Sequence, residues 1–215
     1  MTKKIKVAGI GNQKMADKAI SYPDGSPAGR ILRAGRKLFF NVGFQRVSTD
    51  MIAKEASVSK SSLYKYFPNM SALLKAVTEA EAVHFQAAEP KIIDTKDALR
   101  DELVRFGADL MRFLNRPEII RFNQLMHEEA RDNPDIAQVF YSAAYGRTLA
   151  HLEALFQQGL DKGFVPGPHL AEEMAMQIIG MWECIPMVRV QLGVAKRPFP
   201  KPQDWSQKCV DTLLR

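Results

Sequence analysis

Cysteine is scarce in this 215-residue chain: Cys184 and Cys209 are the only two, too far apart for a C-x-x-C pair and with no histidine cluster beside them. That excludes a disulfide scaffold and a zinc site, and the expectation is two buried thiols, with a redox sensor as the minority reading. Nowhere is there a run of about 18 apolar residues able to span a bilayer, nor an apolar h-region with a cleavage site near Met1. The expectation is therefore no membrane partner and a cytoplasmic location. Strand-like alternation of any length is also missing. Catalytic motifs are missing too, since the chain has no G-x-S-x-G, no P-loop and no Cys–His pair with supporting context. HEEAR at 127–131 opens like a zinc-protease motif, but Arg131 stands where the second histidine is required. KIKVAGIGNQK near the start mimics a strand leading into a nucleotide-binding glycine turn, yet Lys14 occupies the third glycine position and no βαβ unit follows. No catalytic residue, metal or cofactor is expected.

What is present is an ordinary globular composition, 46% apolar and 25% charged, carrying a net charge of +6. That charge is segregated. Between Arg30 and Lys75 lie nine Lys or Arg against Asp50 and Glu55, whereas residues 76–215 are net acidic. A positive block of this kind is the electrostatic footprint of phosphate binding.

Inside the block, VSTDMIAKEASVSKSSLYKY at 47–66 reads as two short helices joined by a tight turn. Ser48 is placed to cap the first, with Val47 and Ile52 at hydrophobic-staple spacing and Asp50 at the positive end of the dipole. Ser59 repeats the device for the second helix, with Val58 and Leu63 as staple and Pro68 forcing an end. Two cap-and-staple units this close require a steep crossing, as in a helix-turn-helix. Lys60, Ser61, Ser62, Lys65 and Tyr66 then supply donors and cations in the first two turns of the second helix, the part of a recognition helix that reaches base edges in the major groove.

From Arg30 to Ala80 the sequence resembles the DNA-binding domain of the TetR/AcrR transcriptional regulators, with an amphipathic first helix ending in LF, a G-F turn, then ST..IA.EA.VS...LY.YF and a following ALL.AV helix. Position by position, the resemblance implies DNA contacts from Thr49, Lys60, Ser61, Ser62, Tyr64, Lys65 and Tyr66. Ser48 and Ser59 at the caps complete the DNA-facing set. Ser57 departs from the family by standing where the turn usually has glycine, and a left-handed serine there is strained by roughly 1 kcal/mol. Met70 replaces a frequent lysine at the start of the next helix.

Residues 1–25 carry five lysines and little to bury, which predicts a flexible basic arm able to lie along DNA. Ser26 and Pro27 are an N-cap and N1 pair opening a helix that Gly43 closes, with Ile31, Ala34, Leu38 and Val42 on one face. A long helix is expected from 70 to 89, with Leu73, Val77, Ala80 and His84 at helical spacing, ending at Pro90 as the mechanical link between two domains. Beyond it the periodicity is helical throughout: a stripe of Leu99, Leu103, Phe106, Leu110 and Phe113; a helix opened by Pro117; another from Asn133-Pro134 to Gly163; and one starting at Gly167-Pro168, kinked at Pro186. A last short helix is expected to be capped by Asp204.

The helix 168–192 is apolar nearly all round, so with 204–214 it should bury itself against a copy of itself in a homodimer. Such a dimer places two recognition helices about 34–36 Å apart on a pseudo-palindrome. Aromatic and thioether side chains recur on the helices of this half and suit an irregular apolar pocket. The residues expected to line it are Phe106, Leu110, Phe113, Phe122 and Met126, together with Phe140, Tyr145, Met174, Ile178 and Met181. Plain core is the alternative for each, and the resemblance, which extends to the effector domain of the AcrR/AefR-like branch, is what implies a cavity.

The fold class expected is all-α: an arm at 1–25, a three-helix DNA-binding domain with its linking helix at 26–89, and a helical effector-binding and dimerisation domain at 90–215. The function expected is a ligand-responsive transcriptional regulator, not an enzyme, that acts as a repressor on a palindromic double-stranded DNA operator and is released by a small apolar or aromatic effector. An architectural DNA protein without a ligand is the competing class, separable by its lack of site preference.

Overall fold

Ser26 sets the first element, its hydroxyl accepting from the backbone N–H of Gly29 as Pro27 fixes the first helical residue. Helix α1 (Pro27–Val42) ends where Gly43, at φ 93°, turns the chain. The computed structural model describes residues 22–83, 92–165 and 167–215, and among these residues every regular element is helical. After a short 3₁₀ turn at Phe44–Arg46 come α2 (Thr49–Ala56), α3 (Lys60–Tyr66) and α4 (Met70–Val83), the last capped by Asn69, whose Oδ1 accepts from Ala72 N–H at 2.7 Å. The stretch 84–89 expected to continue α4, including His84, lies outside the described residues, as does most of the 1–25 arm.

The body follows as α5 (Lys96–Leu114), α6 (Pro117–Asp132), α7 (Pro134–Phe140), α8 (Arg147–Asp161), α9 (Ala171–Gln191) and α10 (Pro202–Leu213). Between α7 and α8 the chain stays helical but widens into a π turn at Tyr141–Gly146, so the single helix expected from 133 to 163 carries an inserted residue there. Two boundaries differ from expectation. Gly167 at φ 100° and an extended Leu170 delay α9 to Ala171, and α10 starts at Pro202, which leaves Asp204 in its first turn rather than at the cap.

Two apolar clusters result. One joins α1–α4 with Phe122 and Met126 of α6 and with Ile136 and Phe140 of α7, so the core of the head extends into the body. The other is built by α5, α8, α9 and α10 around Trp182, which is fully buried. Gly107 makes that second core possible: a Cβ there would lie 2.4 Å from both the Trp182 ring and Ser206 Oγ, so only glycine lets α5, α9 and α10 approach this closely. Pro186 sits inside α9 and has no N–H to give the carbonyl of Trp182, four residues back. The indole of Trp205 donates to that oxygen instead, at 3.1 Å, and ties α10 to the helix at its proline.

Candidate functional site

The reading head begins with its caps. Ser48 Oγ accepts from Met51 N–H at 3.2 Å and Ser59 Oγ from Ser62 N–H at 3.1 Å, so both serines spend their hydroxyls on orphan backbone donors. Between the helices Ser57 is left-handed, φ 53° and ψ 51°, and among the described residues no other non-glycine has a positive φ. Val58 N–H reaches back to Ala53 O at 3.0 Å, which closes the α2 end. Arg30 of α1 donates Nε to Ala56 O at 3.1 Å and fastens that end to the rest of the head.

Ile52, Ala53, Ala56, Leu63 and Phe67 face the core, which turns the opposite face of α3 outward. Lys60, Ser61, Lys65, Tyr64 and Tyr66 are exposed on it, with Ser62 and Thr49 partly covered at its margin. All nine residues expected to face DNA thus lie in one short stretch of surface. Lys65 Nζ sits 5.9 Å from the Tyr66 ring centre. Lys60 is engaged: its Nζ lies 2.7 Å from Asp50 Oδ1 across the two helices, and the bond to Asp50 raises its pKa. In the sequence Asp50 is legible only as a charge at a helix start; the ten-residue spacing that brings it to Lys60 becomes visible only once the crossing angle is known.

The head is joined to the body by specific contacts. Phe40 meets Phe122 of α6 edge-on at 4.7 Å and Gln45 donates to the buried Glu129 of α6 at 3.1 Å, while within the head Arg36 of α1 forks onto the buried Glu81 of α4.

The ten residues expected to line an effector pocket fall into two groups. Phe106, Leu110, Met174 and Ile178 are buried in the Trp182 cluster, with Phe113 and Met181 partly buried against it. Phe122, Met126 and Phe140 are buried in the cluster shared with the head, with Tyr145 at its edge. The division follows from packing, because α6 and α7 lie on α1 and α4 whereas α8 and α10 hold α9 and α5. At the seam, burial raises the Tyr145 hydroxyl to about 12, with Glu183 of α9 as a second cause, and burial pushes the Glu183 carboxyl up to about 7. Glu183 was not foreseen: in a helix apolar nearly all round, periodicity gives no sign of which way a lone acid points. Deeper in the second cluster His151 stacks on Phe106 at 4.6 Å, and burial lowers its pKa. Of the two thiols expected to be buried, Cys209 is, whereas Cys184 is exposed because its position on α9 faces away from the Trp182 cluster. Among the described residues no three metal-ligating side chains gather, and no helix is long and apolar enough to cross a membrane.

Comparison with known proteins gives a consistent picture. The family model for bacterial regulatory proteins of the tetR family matches residues 31–77, and that for the C-terminal domain of AefR-like transcriptional repressors matches residues 101–215. An HTH-type transcriptional regulator of Mycobacterium bovis, Mb1581, is 23% identical over 184 residues, covering 86% of this chain and 84% of its own. Among solved structures, the flavonoid-responsive regulator FrrA superposes with a TM-score of 0.71 at 25% identity, covering 87% of this chain and 93% of its own. The transcriptional regulator FadR from Bacillus subtilis in complex with stearoyl-CoA superposes at 0.68 and 17% identity, over 86% of this chain and 96% of that one.

Proposed function

The chain belongs to the tetR family of bacterial regulatory proteins, with an AefR-like C-terminal domain, a family of DNA-binding transcription regulators rather than enzymes; on that premise we propose that it is a cytoplasmic homodimeric repressor. It binds a palindromic operator through α3 and leaves it when a small apolar or aromatic effector enters the body. The observation that carries this reading is the exposed face of α3, where Lys60, Ser61, Tyr64, Lys65 and Tyr66 stand together on a helix seated by Leu63.

Self-association is supported by the outer face of α9. Met176, Ile185, Val188 and Leu192 are 50%, 65%, 39% and 73% exposed, Gly180 between them has open space around it, and Trp205 of α10 adds a half-exposed ring. Exposed apolar side chains gathered along one helix in this way are what a second copy would cover. Release on effector binding is supported by the route from body to head: α6 carries both Phe122, which meets Phe40, and Glu129, which meets Gln45. An effector that moves α6 and α4 changes the separation of two recognition helices, which need about 34 Å between them. The flavonoid response in FrrA's description and the acyl chain in the FadR complex support an apolar or aromatic effector. In this reading residues 26–89 form the head and 90–215 the body, with Phe106, Leu110, Phe113, Phe122, Met126, Phe140, Tyr145, Met174, Ile178 and Met181 around the effector.

The test is selection of bound duplexes from a random pool with the purified full chain, together with its mass in solution. An inverted repeat bound by a dimer is expected; a monomer, or a dimer indifferent to sequence, would refute the proposal.

A further inference from the structure

A carboxylate on a surface that meets phosphates weakens binding, because it repels the backbone that the lysines attract. Of the two acids between Arg30 and Lys75, Glu55 is answered by Lys37 of α1 at 2.7 Å. Asp50 stands instead in the first turn of α2, beside the outward face of α3. Lys60, the first residue of α3, places its Nζ 2.7 Å from Asp50 Oδ1, so one ion pair joins the starts of both helices of the motif. Both side chains are more than half exposed and open to a ligand. An ion pair this exposed adds little to stability, and the fold does not depend on it. The Ser61 hydroxyl, next along α3, is already hydrogen-bonded to Ser59 Oγ at 2.9 Å.

An ammonium carries three donors and no acceptor, and a carboxylate carries acceptors alone. Held 2.7 Å apart, the two present a donor and an acceptor side by side. The major-groove edge of a G·C pair presents the complement: guanine O6 accepts, cytosine N4 donates, and a hydrogen bond of about 2.9 Å holds those two atoms together. One ammonium hydrogen stays on Asp50, which leaves two for guanine N7 and O6. A T·A pair offers an acceptor and an amine in the same order but sets a methyl where guanine has N7, so one ammonium hydrogen goes unmet. A·T and C·G place an amine against the ammonium and a carbonyl against the carboxylate. Both are rejected.

Resting on the operator-binding reading above, we infer that Asp50 and Lys60 read one G·C base pair of each half-site as a unit, Lys60 on guanine N7 and O6 and Asp50 on cytosine N4. Asp50 is the residue that makes this contact specific. A lysine alone serves any phosphate as a point charge, whereas the carboxylate beside it holds the ammonium toward the groove and repels the backbone.

The test uses the full chain and the inverted repeat that selection returns. Duplexes with each of the four base pairs at every position of one half-site are titrated by fluorescence anisotropy at one fixed salt concentration, against the parent, Asp50→Asn and Lys60→Ala. The parent should show one G·C position at which the other three pairs bind about tenfold or more weakly. Asp50→Asn should raise affinity for every duplex, because a negative charge leaves the surface, yet cut the preference at that position to about threefold or less. Lys60→Ala should flatten the same position and no other. A half-site without such a G·C position, an Asp50→Asn preference equal to the parent's, or two variants that flatten different positions would each overturn the inference. If Lys60→Ala binds too weakly to titrate, the Asp50→Asn comparison decides alone. A chain that selects no inverted repeat sinks the operator reading and this inference together, whereas a repeat selected without that G·C position refutes this inference alone.

Discussion

Glu183→Gln keeps the outline of the side chain and deletes its charge, and its effect on stability follows from where the carboxyl titrates. The ordinary value is 4.5, and burial in the folded protein moves it to about 7. Between those values the unfolded chain has released the proton while the folded chain retains it, so the native state binds more protons and its stability falls as pH rises. Below 4.5 both states are protonated and nothing is lost. Above about 7 the full penalty is present, and at ~1.36 kcal/mol per pH unit the gap sets a ceiling near ~3 kcal/mol. Water entry and local relaxation bring the expected loss to ~1–3 kcal/mol. Tyr145, raised to about 12, stays neutral across the window and adds no slope. Urea unfolding at fixed protein concentration should therefore give the Gln variant and the parent equal free energies near pH 4.5, and the variant an advantage of ~1–3 kcal/mol at pH 8.5. A difference that is constant with pH, or one that favours the parent at pH 8.5, would refute the placement of this carboxyl.

Other perturbations have defined outcomes. Ser57→Gly relieves the left-handed serine between α2 and α3 and should stabilise the fold by ~0.5–1 kcal/mol, after allowing for the greater freedom of glycine in the unfolded chain, read as a higher thermal midpoint. Asp50→Asn frees Lys60 and removes a negative charge from the surface proposed to face DNA; operator affinity should rise severalfold and the salt slope steepen by about one ion, both read by fluorescence anisotropy across a salt series. Gly107→Ala forces a methyl into the Trp182 ring and Ser206, and chemical denaturation should show a loss of ~1–3 kcal/mol. Gln45→Ala leaves Glu129 unpartnered at the head–body seam; operator binding should persist while release by a bound probe weakens about threefold or more, measured as the ratio of DNA affinities with and without it.

Local chemistry was the legible part. Caps at Ser26, Ser48 and Ser59 could be read directly because each joins a side chain to a backbone group three residues on, and no tertiary information is needed. The all-helical class and the family followed for the same reason, since periodicity and cap spacing survive in one dimension. Features made by two elements meeting were hidden. The Asp50–Lys60 bond depends on a crossing angle, and the separation of Phe122, Met126 and Phe140 from Phe106 and Ile178 depends on which neighbours α6 chooses. The widened turn at Tyr141–Gly146 has no turn residue before its terminal glycine, and the late start of α9 is set by Gly167, whose backbone conformation sequence spacing does not fix.

Since the Trp205 indole donates to the oxygen that Pro186 leaves without its backbone partner, α9 runs past its proline with that carbonyl satisfied from the neighbouring helix. Met176 lies before that proline, and Val188 and Leu192 lie after it, so exposed apolar side chains stand on both sides of the tie. The tryptophan thus fastens α9 to α10 at the one place where the helix's own backbone pairing is interrupted.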